Sequence, residues 1–246
     1  MGLSIQNKWL WCGYLLLLTA AVSPAFGQTR GSVSAAGASV NIKDSLLRPV
    51  IDTSDTTFIR RKTMIHAAAP HHNLYLIDIS NSMKEESRLD SLKTGLHYLI
   101  HLQRETDKMS VITFNDTAKV VLKFLPATTR EKITESIDTL ITKGGTNVQD
   151  ALLDAYKIVD STRSQYNGKT KLVLITDGLF DLSKKIRKKI ETYDNAGIPL
   201  SIILMGSLHD VETIEFLEKI CEKGKGQFYY MRKYNLYEVL ATEASN

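Results

Sequence analysis

The stretch Leu74-Tyr75-Leu76-Ile77-Asp78-Ile79-Ser80-Asn81-Ser82-Met83 constrains this chain more than any other. An apolar run with β character stops abruptly at one carboxylate, and two hydroxyls follow at alternate positions. Strands buried on both faces of a parallel sheet read as such unbroken apolar runs. Sheets of that kind collect their ligands beyond the carboxyl ends of the strands. Asp78, Ser80 and Ser82 therefore stand where chemistry is expected. They offer only hard oxygen donors, which suit Mg²⁺ or Mn²⁺ rather than zinc.

From residue 71 onward, β and α patterns alternate. Strand 74–78 is followed by Leu89, Leu92, Leu96, Leu99 and Ile100 at helical spacing, which predicts a helix over about 86–105. Two β runs, 109–114 and 119–124, are separated by Asn115-Asp116-Thr117-Ala118, a short polar break that suits a hairpin and so one antiparallel strand at the sheet edge. Ile133, Ile137, Leu140 and Ile141 mark a second helix, and Val148 to Val159 a third. Strand 171–176 ends in Asp177-Gly178. A basic helix over 184–195, strand 199–205, helix 211–222, strand 227–231 and helix 236–241 complete the pattern. The expected class is α/β: a Rossmann-like, doubly wound, mostly parallel central sheet with one antiparallel edge strand and helices on both faces.

The N-terminus reads differently. Lys8, an apolar core over 9–22, the break at Ser23-Pro24 and the small residues of Ala25-Phe26-Gly27 describe an export signal over residues 1–27, with an uncleaved anchor as the alternative. Its removal would take Lys8 and lower the formal charge from +4 to +3, too small an excess to point to nucleic acid. Cys12 would go with it, leaving Cys221 with no disulfide partner. Residues 28–70 read as a flexible N-terminal linker in which one short element could pack on the domain, with Arg60-Arg61-Lys62 as a solvated turn. The folded domain is expected over 71–246. Localisation follows as periplasm, cell envelope or secreted, with envelope or membrane-surface association through the N-terminal segment.

Three connections supply oxygen donors: Asp78-x-Ser80-x-Ser82, Thr146 after Gly144-Gly145, and Asp177-Gly178. Each has a simpler reading, since Ser80, Ser82, Thr146 or Asn147 could cap a helix and Asp-Gly is a common turn. Capping does not explain why all three fall at one end of the sheet. Together, in this order and context, they resemble the metal-ion-dependent adhesion site of von Willebrand factor type A domains, over about residues 71–246. The resemblance implies that the hydroxyls of Ser80, Ser82 and Thr146 bind Mg²⁺ (or Mn²⁺) directly and that Asp78 and Asp177 act largely through water. A protein partner's Asp or Glu would complete the shell. It implies a binding function and not an enzyme, with no nucleic acid partner.

Two other functions compete: a metal-dependent or serine hydrolase on the same site, and a structural domain whose site stays vacant. A serine nucleophile needs a base within hydrogen-bond reach. His71 and His72 lie at the far end of the first strand, at least about 20 Å from Ser80 at ~3.3 Å per residue. His97 and His101 read as part of a solvated helix stripe, and only His209 falls at the correct end. No catalytic set is therefore assigned. Cys221 reads as a buried inert thiol, the basic run 184–190 as a solvated helix face, and Leu179-Phe180 as either an apolar rim or packing under the loop.

Overall fold

The computed structural model describes residues 50–178, 180–206, 209–232 and 235–246. The expected signal (1–27), most of the linker, and Leu179 lie outside the described residues. The elements run α1 (Thr56–Ala67), β1 (His71–Asp78), α2 (Arg88–Leu102), β2 (Lys108–Phe114), β3 (Ala118–Pro126), α3 (Arg130–Asp138) and α4 (Val148–Thr162). They continue with β4 (Lys169–Thr176), α5 (Lys184–Asn195), β5 (Leu200–Leu204), α6 (Val211–Lys223), β6 (Lys225–Tyr230) and α7 (Leu236–Glu243).

The six strands form one sheet in the order β3-β2-β1-β4-β5-β6. Every pair is parallel except β2–β3, so the hairpin expected from its polar break is the antiparallel edge. Strand order reverses between β1 and β4, whose ends are level, with Ile77 paired to Ile175. Asp78 and Thr176 therefore emerge side by side at the topological switch point, where open α/β sheets bind ligands. One apolar layer joins Tyr75, Ile77, Val173 and Ile203 to Leu92, Leu96 and Leu240; the other joins Leu74, Leu76, Leu172 and Leu174 to Leu152, Ile186 and Leu217. Alternate residues of each strand thus feed opposite cores, which is why β1 is buried throughout.

The linker boundary needs correction. Helix α1 is part of the fold: Asp55 caps it by accepting the Phe58 N–H, and Phe58 and Ile65 are buried in the core. Phe58 packs edge-to-face on Tyr98 of α2. Arg61 is buried too, donating to Tyr98 Oη (2.9 Å) and to Glu238 of α7 (2.5 Å), so it is not in a solvated turn. Three further expectations fail locally. The first helix begins at Arg88 and not at 86, because a 3-10 segment, Asn81–Ser87, intervenes and Glu86 and Ser87 have φ of 51° and 52°. The second ends at Asp138, leaving Ile141 exposed. His97 does not belong to a solvated stripe: it is buried, with Nε2 2.7 Å from Asp138 Oδ1.

At the far end of β1, His72 sits between Phe124 and Tyr166, with Nε2 on Ser110 Oγ at 2.9 Å. Burial, assisted by the Lys108 charge, pulls its pKa from 6.5 down to about 4. A histidine held neutral in the fold favours folding above its unfolded pKa and loses that contribution as pH falls through the window from 6.5 to about 4. We expect about 2–3 kcal/mol of stability to be lost by pH 4.5 through this group alone. Urea unfolding at pH 7 and pH 4.5 measures it, and the difference between wild type and His72→Gln separates it from the carboxylates. Equal slopes in the two proteins would remove His72 from the account.

Candidate functional site

The site is built where β1 and β4 end. Asp78, the last residue of β1, is fully buried, and each carboxylate oxygen has a donor. Oδ1 accepts the Ser80 N–H at 2.8 Å, closing a turn over the strand end, and Oδ2 accepts the Thr176 hydroxyl at 2.8 Å. Burial raises the pKa of Asp78, the Ser80 and Thr176 hydrogen bonds oppose that, and the nearby Asp177 charge adds to it. A cation at this point would favour the ionised form.

A second chain of oxygens runs beside it. Ser82 Oγ donates to Asp177 Oδ1 at 2.9 Å, and Ser80 Oγ lies 3.0 Å from Ser82 Oγ. A hydroxyl has one hydrogen to give, so Ser80 donates to Ser82 and Ser82 to Asp177. Neither Ser80 nor Asn147 caps its helix through the side chain, so the simpler reading fails for both. The loop carrying Thr146 docks on the same segment: Lys143 N–H donates to Ile79 O (2.7 Å) and Asn81 N–H to Gly144 O (3.1 Å). Gly144 has φ +73°, and a Cβ there would lie 2.3 Å from Asp116 Oδ2, so this turn needs glycine. Asp116 fixes the loop further by accepting the Gly145 N–H.

The structure thus brings Asp78, Ser80, Ser82 and Asp177 into direct hydrogen-bond contact at one strand end. Thr146 sits in the adjoining loop, is exposed, and is not part of that hydrogen-bond chain; it lines a groove with Phe180, Asp181, Glu212 and Phe216. Phe180 is buried edge-to-face on Phe216, which makes it packing under the loop and not a rim. His209 is engaged with the Met205 carbonyl through Nε2 (2.6 Å). Cys221 is buried and free, with burial pushing its thiol pKa up.

Residues 74–179 match the von Willebrand factor type A domain family. Over those residues the chain has a von Willebrand factor type A domain. A curated relative, protein YfbK of Escherichia coli (strain K12), is 27% identical over 168 residues, covering 66% of this chain and 28% of that protein. The chain therefore spans less than a third of the length of this relative. Among solved structures, a von Willebrand factor type A protein from Catenulispora acidiphila superposes with a TM-score of 0.61 at 19% identity, over 72% of this chain and 42% of that one. Proximal thread matrix protein 1 of the mussel byssus, described with a zinc-occupied MIDAS motif of its own, superposes with a TM-score of 0.55 at 15% identity, over 72% and 46% of the two chains.

The donor set of this von Willebrand domain fits a hard divalent cation. Two hydroxyls and the Asp177 carboxylate already point oxygens at one another, with the Asp78 carboxylate held beside them by the Ser80 N–H and the Thr176 hydroxyl. Among the described residues, no group of three or more His, Cys, Asp or Glu is placed to hold a metal ion, so a cation here would depend on the hydroxyls. Sequence reasoning missed Arg88, whose Nη1 donates to Asp177 Oδ2 at 2.7 Å. One signal could have found it: Arg88 opens α2, where the helix dipole disfavours a cation, so a nearby anion should be compensating. Thr176, the last residue of its strand and given no role in the sequence reading, supplies the hydroxyl that holds Asp78.

Proposed function

We propose that this domain captures protein partners through a divalent cation, Mg²⁺ (or Mn²⁺), that receives an Asp or Glu side chain from the partner. The observation that supports it is the Ser80–Ser82–Asp177 hydroxyl relay beside the buried Asp78 carboxylate at the sheet's switch point. Ser80, Ser82 and Thr146 would hold the ion by their hydroxyls, with Asp78 and Asp177 supplying balancing charge. When bound, the ion supplies a positive centre with coordination left for an outside oxygen. The chain's own work is to keep the hydroxyls converged: the Asp78–Ser80 turn sets the Ser80 backbone, and the Gly144 loop clamps Ile79 and Asn81.

Binding is favoured over hydrolysis because Ser80 gives its proton to Ser82 and Ser82 gives its own to Asp177, and His209 is held by a backbone carbonyl. Export by the N-terminal segment would place this capture in the periplasm, cell envelope or outside. Thermal unfolding tests the reading. Ligand at a hundred times its Kd adds about 2.7 kcal/mol, roughly 5–10 °C for a domain of this size. We expect MgCl₂ or MnCl₂ to raise Tm by that order, EDTA to reverse it, and Ser80→Ala/Ser82→Ala to abolish it. An unchanged Tm in wild type, with partner pull-down indifferent to EDTA and to Asp78→Ala, would leave the structural alternative.

A further inference from the structure

Arg88 occupies an expensive position. Its side chain is only 10% exposed, with Nη1 on Asp177 Oδ2 at 2.7 Å and on the Ser82 carbonyl at 3.4 Å. It stands at the first residue of α2, against the helix dipole. The two residues before it, Glu86 and Ser87, both have left-handed backbones, which non-glycine residues adopt rarely. Its Nε is buried with no hydrogen-bond acceptor among the described residues. The flat face of the guanidinium lies against Gly206 (φ +95°), where a Cβ would come within 2.9 Å of Cζ and Nε. Backbone strain, an adverse dipole, an orphaned donor and a glycine cradle all serve to put one fixed cation on Asp177.

We propose that Arg88 is a built-in counter-cation that weakens metal binding by itself and couples it to arrival of a carboxylate. The inference rests on the metal reading above. Asp78 and Asp177 carry two negative charges, which a divalent ion alone would neutralise. With Arg88 present the three side chains sum to −1, the loaded site to +1, and one incoming carboxylate brings it to zero. Glu85 and Glu86 lie 3.6 Å from Arg88 Nη2, but their side chains are 70% and 46% exposed, so water screens them. Arg88 is thus a positioning and charge-setting residue: it fixes Asp177 with Oδ1 toward Ser82, and it disfavours a metal-loaded site that lacks a ligand. Without metal, the Arg88–Asp177 pair and the hydroxyl relay leave the carboxylates satisfied.

Isothermal titration of MnCl₂ into the full chain tests this, with sodium acetate as the carboxylate probe and sodium chloride at equal ionic strength as the control. Wild type should bind Mn²⁺ weakly in chloride and at least about 5-fold more tightly in acetate, the low end of ordinary coupling. Arg88→Gln should bind Mn²⁺ about 10-fold more tightly than wild type in chloride and lose the acetate enhancement. Arg88→Lys, which keeps the charge, should behave as wild type. If Arg88→Gln is folded and binds Mn²⁺ no more tightly than wild type, Arg88 serves only to hold Asp177 and the proposal is overturned. Wild-type Mn²⁺ binding that ignores acetate overturns it as well, whether or not Arg88→Gln folds, while leaving the metal reading intact. No Mn²⁺ binding by wild type in either salt removes both.

Discussion

Asp177→Ala is expected to lower the unfolding free energy by about 3–5 kcal/mol, the usual loss when one member of a buried ion pair is removed. The side chains of Asp177 and Arg88 are 2% and 10% exposed, so little water reaches either. Among the described residues, the truncation leaves the guanidinium only the Ser82 carbonyl and two solvent-exposed glutamates, and Ser82 loses the acceptor for its hydroxyl. The substitution also removes one of the two carboxylates of the candidate metal centre. Added MgCl₂ should therefore stabilise wild type and leave Asp177→Ala where it is. Asp177→Asn, which keeps an acceptor for Ser82, should lose less stability but should also fail to respond to metal. Urea unfolding with and without MgCl₂ reads both effects. A loss below about 1 kcal/mol, in the range of a surface pair, would mean that Arg88 and Asp177 are not buried together as described.

The second large effect lies under α7. Lys171 in β4 is buried with Nζ 3.1 Å from Glu243 Oε2, and it also donates to the Glu243 carbonyl at 3.2 Å. Glu243 is completely buried and accepts the Tyr229 hydroxyl at 2.7 Å. Lys171→Met would strand that carboxylate in the core, for a loss of about 3–5 kcal/mol. This is roughly 6–20 °C in Tm for a domain of this length. Replacing both partners by apolar residues removes the desolvated charge altogether, so Lys171→Met/Glu243→Leu should recover most of the loss. Thermal denaturation of the two single variants and the double variant closes the cycle. Additive losses in the double variant would show that the pair does not interact.

The site was legible where residue chemistry coincided with the end of a strand. Asp78 and Asp177 each interrupt an apolar run, and the parallel order of β1 and β4 then obliges them to meet. The fold was legible for the same reason: alternating periods of two and 3.6 give strands and helices, and a short polar break marks the antiparallel edge. Helix α1 was not legible because its buried residues, Phe58, Arg61 and Ile65, include a cation whose stem packs while its head reaches Glu238. Arg61 therefore looked like part of a surface charge run. Arg88 and His97 were hidden because their partners, Asp177 and Asp138, lie far away in sequence. Spacing along one chain cannot show such pairs. The start of α2 was misplaced because Glu86 and Ser87 adopt backbone conformations that their residue types do not announce.

The central claim is that Asp78, Ser80, Ser82, Thr146 and Asp177 form one metal centre that receives a carboxylate. Electron paramagnetic resonance of Mn²⁺ added to the full chain tests it most directly, by counting bound ions against free ones in wild type and in folded Ser80→Ala/Ser82→Ala. The account predicts one Mn²⁺ per chain in wild type, released by EDTA and absent from the double variant. Equal Mn²⁺ binding in the two proteins, or none in wild type, would contradict it.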